Sequence, residues 1–272
     1  MAYAFRSEGA WTYVPCHYGK SRLPVRGPRR SLERPYGVVL GGTETFGKFV
    51  SVPFAAGLEA RTGLRMVNLG VVNAGFDAYL GDSTVLEIAA RAEICVVQVM
   101  GAQNLTNRYY QVHPRRNDRL IRVQPLLRTQ FCEVDFTEFN FTRHLLQGLQ
   151  QVSLRRFERV AEELRAVWLR RMGELLAALP KRRVLLWFAD HAPPPATVSA
   201  ASDLTADPLL VDRGMIEAVR PLVSDYLEVL TEAAEPEGRG LDPLDLPVAR
   251  CLPGPAAHRR AADAIAGLLS RH

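Results

Sequence analysis

The residues with the clearest chemical potential in this 272-residue chain lie in 38-VVLGGTETFGKFV-50. A short apolar run stops at Gly41-Gly42, Thr43 and Thr45 follow, and an apolar helical pattern begins after Gly47. A strand that breaks at glycines and turns into a helix can hold a reactive hydroxyl or an anion. A threonine hydroxyl attacks a carbonyl only when a base takes its proton, and its β-methyl makes it stiffer and more crowded than serine. Histidine supplies such a base near neutral pH. His113 is held extended by Pro114, and Asp190-His191 follows the apolar run VLLWF. The segment 68-NLGVVNAG-75 adds Asn73. The densest polar stretch, 103-QNLTNRYYQVHPRRNDR-119, carries Gln103, Asn104, Asn107, Arg108, His113, Arg115 and Arg116. Its guanidinium forks suit carboxylate, phosphate or sulfate. The same residues equally suit a loop braced by its own Arg–Asp pairs, or a subunit contact rich in Tyr and Arg.

Four segments in chain order, LGGTETFG (40–47), NLG (68–70), GAQN (101–104) and the stretch around His258 (AHRRAADAI), carry a family likeness. Together they resemble the SGNH, or GDSL, hydrolases, over about residues 36–104 and 181–270. The resemblance implies a nucleophile at Thr43, in place of serine, with Gly42 in place of the neighbouring aspartate. It implies an oxyanion side formed by the Gly70 N–H and Gln103, with Asn104 at the position of the motif's aspartate. His258 fits the histidine that opens the final helix, which puts Leu252 and Ala249 where the catalytic histidine and aspartate belong. One slip of the motif would make His258 itself the base, with Asp190, His191 or Asp263 beside it; otherwise His258 is a helix-start histidine bonded to an adjoining loop. VHPRRNDR followed by DFTEFNFTRHLL also resembles a bacterial domain family described only as of unknown function, over nearly the whole chain.

These residues need a scaffold, and the apolar runs supply one. Strands are expected at 36–40, 66–69, 94–100, 184–188 and 226–230, with helices at 47–61, 83–91 (capped by Ser83), 153–179, 212–223 and 256–269. Alternating strands and helices predict an α/β three-layer sandwich with a five-stranded, mostly parallel sheet. Ligands in such sheets bind past the C-terminal strand ends, where all four segments fall. The expected organisation is a basic N-terminal arm (1–35) and one domain (36–272) with an insertion at 101–152.

The arm carries seven Lys/Arg against two Glu, a net charge equal to the +5 of the whole chain. With no matching basic face elsewhere, nucleic acid is not the expected partner. Four scattered cysteines without a CxxC pair suit a reducing compartment, and no run is long enough to span a membrane. The expected location is cytoplasmic, with neither metal nor cofactor. Phe131, Phe136, Phe139 and Phe141 share no register and suit a seal between the insertion and the sheet, or a homo-oligomer contact through 105–145.

Two functions remain open. One is an ester, acyl or sulfuryl hydrolase acting on a polar or anionic, carbohydrate-like substrate. It would use Thr43, Gly70, Gln103 and Asn104 with His258 or His113 as base. The other is a non-catalytic glycan- or anion-binding protein. In either case Gly42, Thr45, Asn73, Asn107, Arg108, His113, Arg115, Arg116 and Asp190 are the expected contacts to the ligand.

Overall fold

The computed structural model describes residues 13–196, 203–232 and 243–270. The apolar runs form β1 (Gly37–Leu40), β2 (Met66–Asn68), β3 (Ile94–Gln98), β6 (Arg183–Ala189) and β7 (Asp225–Leu230). They pair in parallel in the order β2-β1-β3-β6-β7. β1 and β3 are buried at every position, as central strands covered on both faces must be. Helices α2 (Phe54–Thr62) and α10 (Pro255–Leu269) pack on each other over one face, around Val39, Val96, Leu186 and Phe188. Helices α3 (Phe76–Leu80), α4 (Ser83–Ala90), α6 (Thr142–Val152), α7 (Leu154–Ala177) and α8 (Arg213–Val219) lie on the other side, around Val38, Val97, Leu185 and Trp187. This is the three-layer sandwich expected from the apolar runs.

Helix α7 buries Phe157, Val160, Ala161, Leu164, Val167, Trp168, Met172, Leu175 and Leu176 at three- and four-residue steps. Its Trp168 indole N–H donates to Met100 O at 2.7 Å and fixes the chain just past β3, where the candidate site begins.

Local signals shift several boundaries. The helix expected over 47–61 divides: α1 covers only Thr43–Phe46, Gly47 closes it in the left-handed region (φ 72°), and α2 starts after Pro53. Asp82, not Ser83, caps α4, its carboxylate accepting from Val85 N. The insertion holds an antiparallel hairpin that its irregular polar pattern did not disclose, β4 (Tyr110–His113) and β5 (Arg116–Val123). Buried Asn117 ties the hairpin down, its Oδ1 accepting from Gly75 N and Ala78 N at the start of α3.

Of the basic arm, residues 1–12 lie outside the described residues. Part of the remainder is core: Tyr18, Leu23 and Val25 are buried. Buried Arg26 donates to four carbonyls, those of Phe46, Gly47, Val50 and Ser51, and so holds the α1–α2 connection. Its guanidinium lies against the rings of Tyr13 and Phe46.

His258 performs a similar task for α2. Pro53 has no side-chain acceptor for the helix start, and His258 Nδ1 accepts from Phe54 N at 3.0 Å. The ring is buried between Phe54 and Phe188. Burial, and secondarily the Arg26 charge, hold its pKa down to about 3. The folded value lies below the ordinary ~6.5, so this contribution to stability is present above pH ~6.5 and is lost as pH falls towards 3. In urea unfolding, the stability advantage of wild type over His258→Asn shrinks by about 1.4 kcal/mol per pH unit across that window. An advantage independent of pH contradicts a buried neutral imidazole.

Candidate functional site

The site is built on Gln98, the last residue of β3. Its Oε1 accepts from Gly42 N (3.0 Å), Thr45 N (3.2 Å) and Thr45 Oγ1 (2.6 Å). One side chain thereby fixes the turn that follows β1. Gly41 makes this approach possible: a Cβ there would lie 2.2 Å from Thr45 Oγ1 and 2.4 Å from Gln98 Oε1. The Tyr79 hydroxyl, 2.5 Å from Gly41 O and 2.9 Å from Leu69 O, joins the ends of β1 and β2 from below. With Oε1 saturated by donors, the Gln98 amide must direct its N–H group the other way, and Nε2 donates to Glu44 Oε2 at 2.7 Å.

Glu44 faces a cleft of about 210 Å³ at the C-terminal end of the sheet. Thr43, Asn73, Gln103, Asn104, Asp118, Thr142, Arg143 and Asp207 give it polar walls, and Phe141 and Phe188 give it apolar ones. Burial raises the Glu44 pKa above the ordinary carboxyl value, and the negative charge of Asp207 adds to the rise. The Gln98 hydrogen bond, the residue's own backbone N–H and the Arg143 charge oppose it without reversing it. Arg143 is itself engaged, paired with Asp207 Oδ2 and donating to Leu204 O.

Thr43 Oγ1 faces the cleft, donating to Asn73 Oδ1 (3.1 Å) and accepting from Asn73 N (3.0 Å). Asn73, in the left-handed region at φ 57°, also donates through Nδ2 to Asp118 Oδ2 at 3.2 Å. Asn104 bridges the walls, donating to Asn73 O and accepting from Thr142 Oγ1. Gln103 Nε2 donates to Asp207 Oδ1 at 3.2 Å, which fixes its amide because a carboxylate only accepts. Its Oε1 is buried with no partner among the described residues.

Of the residues expected to act together, Gly42, Thr43, Asn73, Gln103 and Asn104 meet in this cleft. Thr45 stands behind it, committed to Gln98. Gly70 N donates to Asn68 Oδ1 at 2.8 Å, so that N–H is not turned to a ligand. The other expected contacts lie elsewhere for identifiable reasons. Asn107 closes a turn, accepting from Tyr109 N and Tyr110 N. Arg108 pairs with Glu163 on α7. His113 Nδ1 accepts from Arg115 N and Arg116 N at the hairpin tip, where both arginines are exposed. Asp190 is an exposed partner of His191. Asp263 pairs with Arg61. His258 does not line the cleft; its Nδ1 serves α2.

Glu44, Gln98, Thr142, Arg143 and Asp207 were not singled out from the sequence, and Asp118 figured only as part of the polar stretch 103–119. Glu44 carried a visible signal, a carboxylate inside the strand–turn–helix segment itself. Gln98 carried another, the one polar side chain in ICVVQVM. Asp207 and Arg143 come from distant loops and left none. Among the described residues, no group of three or more His, Cys, Asp or Glu is placed to hold a metal ion, and no helix is long and apolar enough to cross a membrane.

Comparison with curated proteins gives no match. Among solved structures the chain is similar to a protein from Lactobacillus plantarum determined by the Northeast Structural Genomics consortium. Identity is 14%, coverage is 88% of this chain and 97% of that one, and the TM-score is 0.43. It is also similar to LAE5, titled an alpha/beta hydrolase enzyme, from the metagenome of Lake Arreo, Spain. Identity is 16%, coverage is 88% and 99%, and the TM-score is 0.35. A family match runs over residues 1–272, and the chain therefore belongs to the family described as Domain of unknown function (DUF6473).

Proposed function

We propose that the cleft binds a neutral, hydroxyl-rich small molecule of the carbohydrate class, on a sheet of SGNH-hydrolase type that does not run the imidazole-driven reaction of those enzymes. The observation that carries this reading is the composition of the cleft wall. Amide and hydroxyl groups from Thr43, Asn73, Gln103, Asn104 and Thr142 converge there, with two aromatic faces and, among the described residues, no histidine. A small number of placed polar groups on partly apolar walls is the usual make-up of a small-molecule site.

The charge balance selects against anions. Asp118 and Asp207 face the cleft, and Arg143, the lone cation lining it among the described residues, is already paired with Asp207. The expected arginine contacts, Arg108, Arg115 and Arg116, stand outside this lining. An anionic group would enter beside like charge without a free partner.

Ester, acyl or sulfuryl transfer by Thr43 is the second reading, because its hydroxyl does face the cleft. That hydroxyl donates to an amide oxygen, which cannot take a proton away near neutral pH. Without a base, threonine remains a weak nucleophile.

Calorimetry with methyl glucoside, N-acetylglucosamine, glucuronate and a sulfated glucosamine tests this. The expected result is binding of a neutral sugar, at least about tenfold weaker binding of the charged ones, and loss on Asn73→Ala; a tenfold change is 1.4 kcal/mol. In parallel, p-nitrophenyl acetate turnover is expected to be the same for wild type and Thr43→Ala. Preference for the sulfated or uronic sugar, or ester turnover that disappears with Thr43→Ala, contradicts the reading.

A further inference from the structure

We propose that Glu44 meets the ligand as a hydrogen-bond donor, so that the bound molecule presents an acceptor oxygen to Glu44 and a hydroxyl or amide N–H to Gln103 Oε1. This deepens the carbohydrate-cleft reading and rests on it.

The allotment of donors and acceptors settles which carboxyl oxygen is left to carry a proton. Gln98 Oε1 has three N–H or O–H donors, and so its amide cannot turn over without leaving Gly42 N and Thr45 N unsatisfied. Its Nε2 must therefore donate to Glu44 Oε2, which fixes that atom as the accepting oxygen of the carboxyl. A proton on the carboxyl then belongs on Oε1, which has no side-chain partner among the described residues. The charged groups that face Glu44 across the cleft are Asp207 from the loop before α8, Arg143 from α6 and Asp118 from β5. Arg143 is held by Asp207 and Leu204 O, so it does not neutralise Glu44 directly. The raised pKa that burial and Asp207 give to Glu44 agrees with a carboxyl kept neutral for donation.

Gln103 supplies the independent second point. Its side chain is 6% exposed, its Nε2 is committed to Asp207, and its Oε1 is a buried acceptor with no donor among the described residues. A Cβ at Gly101, another residue of the cleft wall, would lie 2.1 Å from that oxygen, so the absence of a side chain there gives it room. Buried acceptors left without donors are rare, and a ligand donor completes this one. A protonated carboxyl on one side and an orphaned amide oxygen on the other select a group bearing both an acceptor and a donor. A sugar hydroxyl or an acetamido group has both.

The test is calorimetry of methyl glucoside and N-acetylglucosamine from pH 5 to pH 9 with wild type, Glu44→Gln and Glu44→Ala. The expected wild-type affinity falls by about tenfold per pH unit above the pKa of Glu44, because one proton must be taken up with the sugar. Glu44→Gln, which keeps an N–H donor at that place, binds with little dependence on pH, and Glu44→Ala binds at least about tenfold more weakly at pH 5; that factor corresponds to one lost hydrogen bond. Wild-type affinity that is flat or rises with pH overturns the donor role while leaving the carbohydrate cleft intact. So does a Glu44→Gln variant as weak as Glu44→Ala. If neither sugar binds wild type at any pH, the cleft reading itself fails and the donor role fails with it.

Discussion

Gln98 presents one carbonyl oxygen to three donors and one N–H group to a carboxyl, and the geometry of the cleft follows from that division. It sits at the end of the central strand, buried on both sides, where an unmatched amide would cost about 1–3 kcal/mol for each group left bare. Its contacts reach across from β3 to the turn after β1 and fix where Thr43 and Glu44 stand. The tightness of that turn, with glycine at 41 and Tyr79 under both strand ends, is the other half of the constraint.

The same arrangement fills the space beside Gly42. A Cβ at that position would lie 3.1 Å from Glu44 Oε2, so the space beside Gly42 holds the Glu44 carboxyl. The Glu44 carboxyl sits in an enclosed setting, where burial and the Asp207 charge raise its pKa. His258 lies in the core as the acceptor that caps α2. Thr43 Oγ1 lies between two groups of Asn73, beside a carboxyl of raised pKa, an arrangement that the proposed reading uses to hold hydroxyls.

Much of the fold was legible because its strands are short, apolar and β-branched and its longest helix keeps a strict three- and four-residue spacing. The hairpin at 110–123 was not, since its exposed positions are charged and its pairing is bulged. The site was legible where it rides on strand ends: Thr43, Asn73, Gln103 and Asn104 follow β1, β2 and β3. The arginine-rich loop misled, because spacing reveals the charges but not their partners. Arg108 is answered by Glu163 from α7, and Arg115 and Arg116 point away on the hairpin tip. Asp207 and Arg143 lie 64 residues apart, and only the folded chain brings them together.

The central claim is that burial and the Asp207 charge raise the Glu44 pKa, while Gln98 fixes which of its oxygens accepts. The direct measurement is a carbon-13 NMR titration of the side-chain carboxyls, with the Glu44 resonance assigned by its disappearance in Glu44→Gln. A midpoint clearly above the ~4.3 of an ordinary glutamate is the predicted result. A midpoint at or below that value would contradict the account.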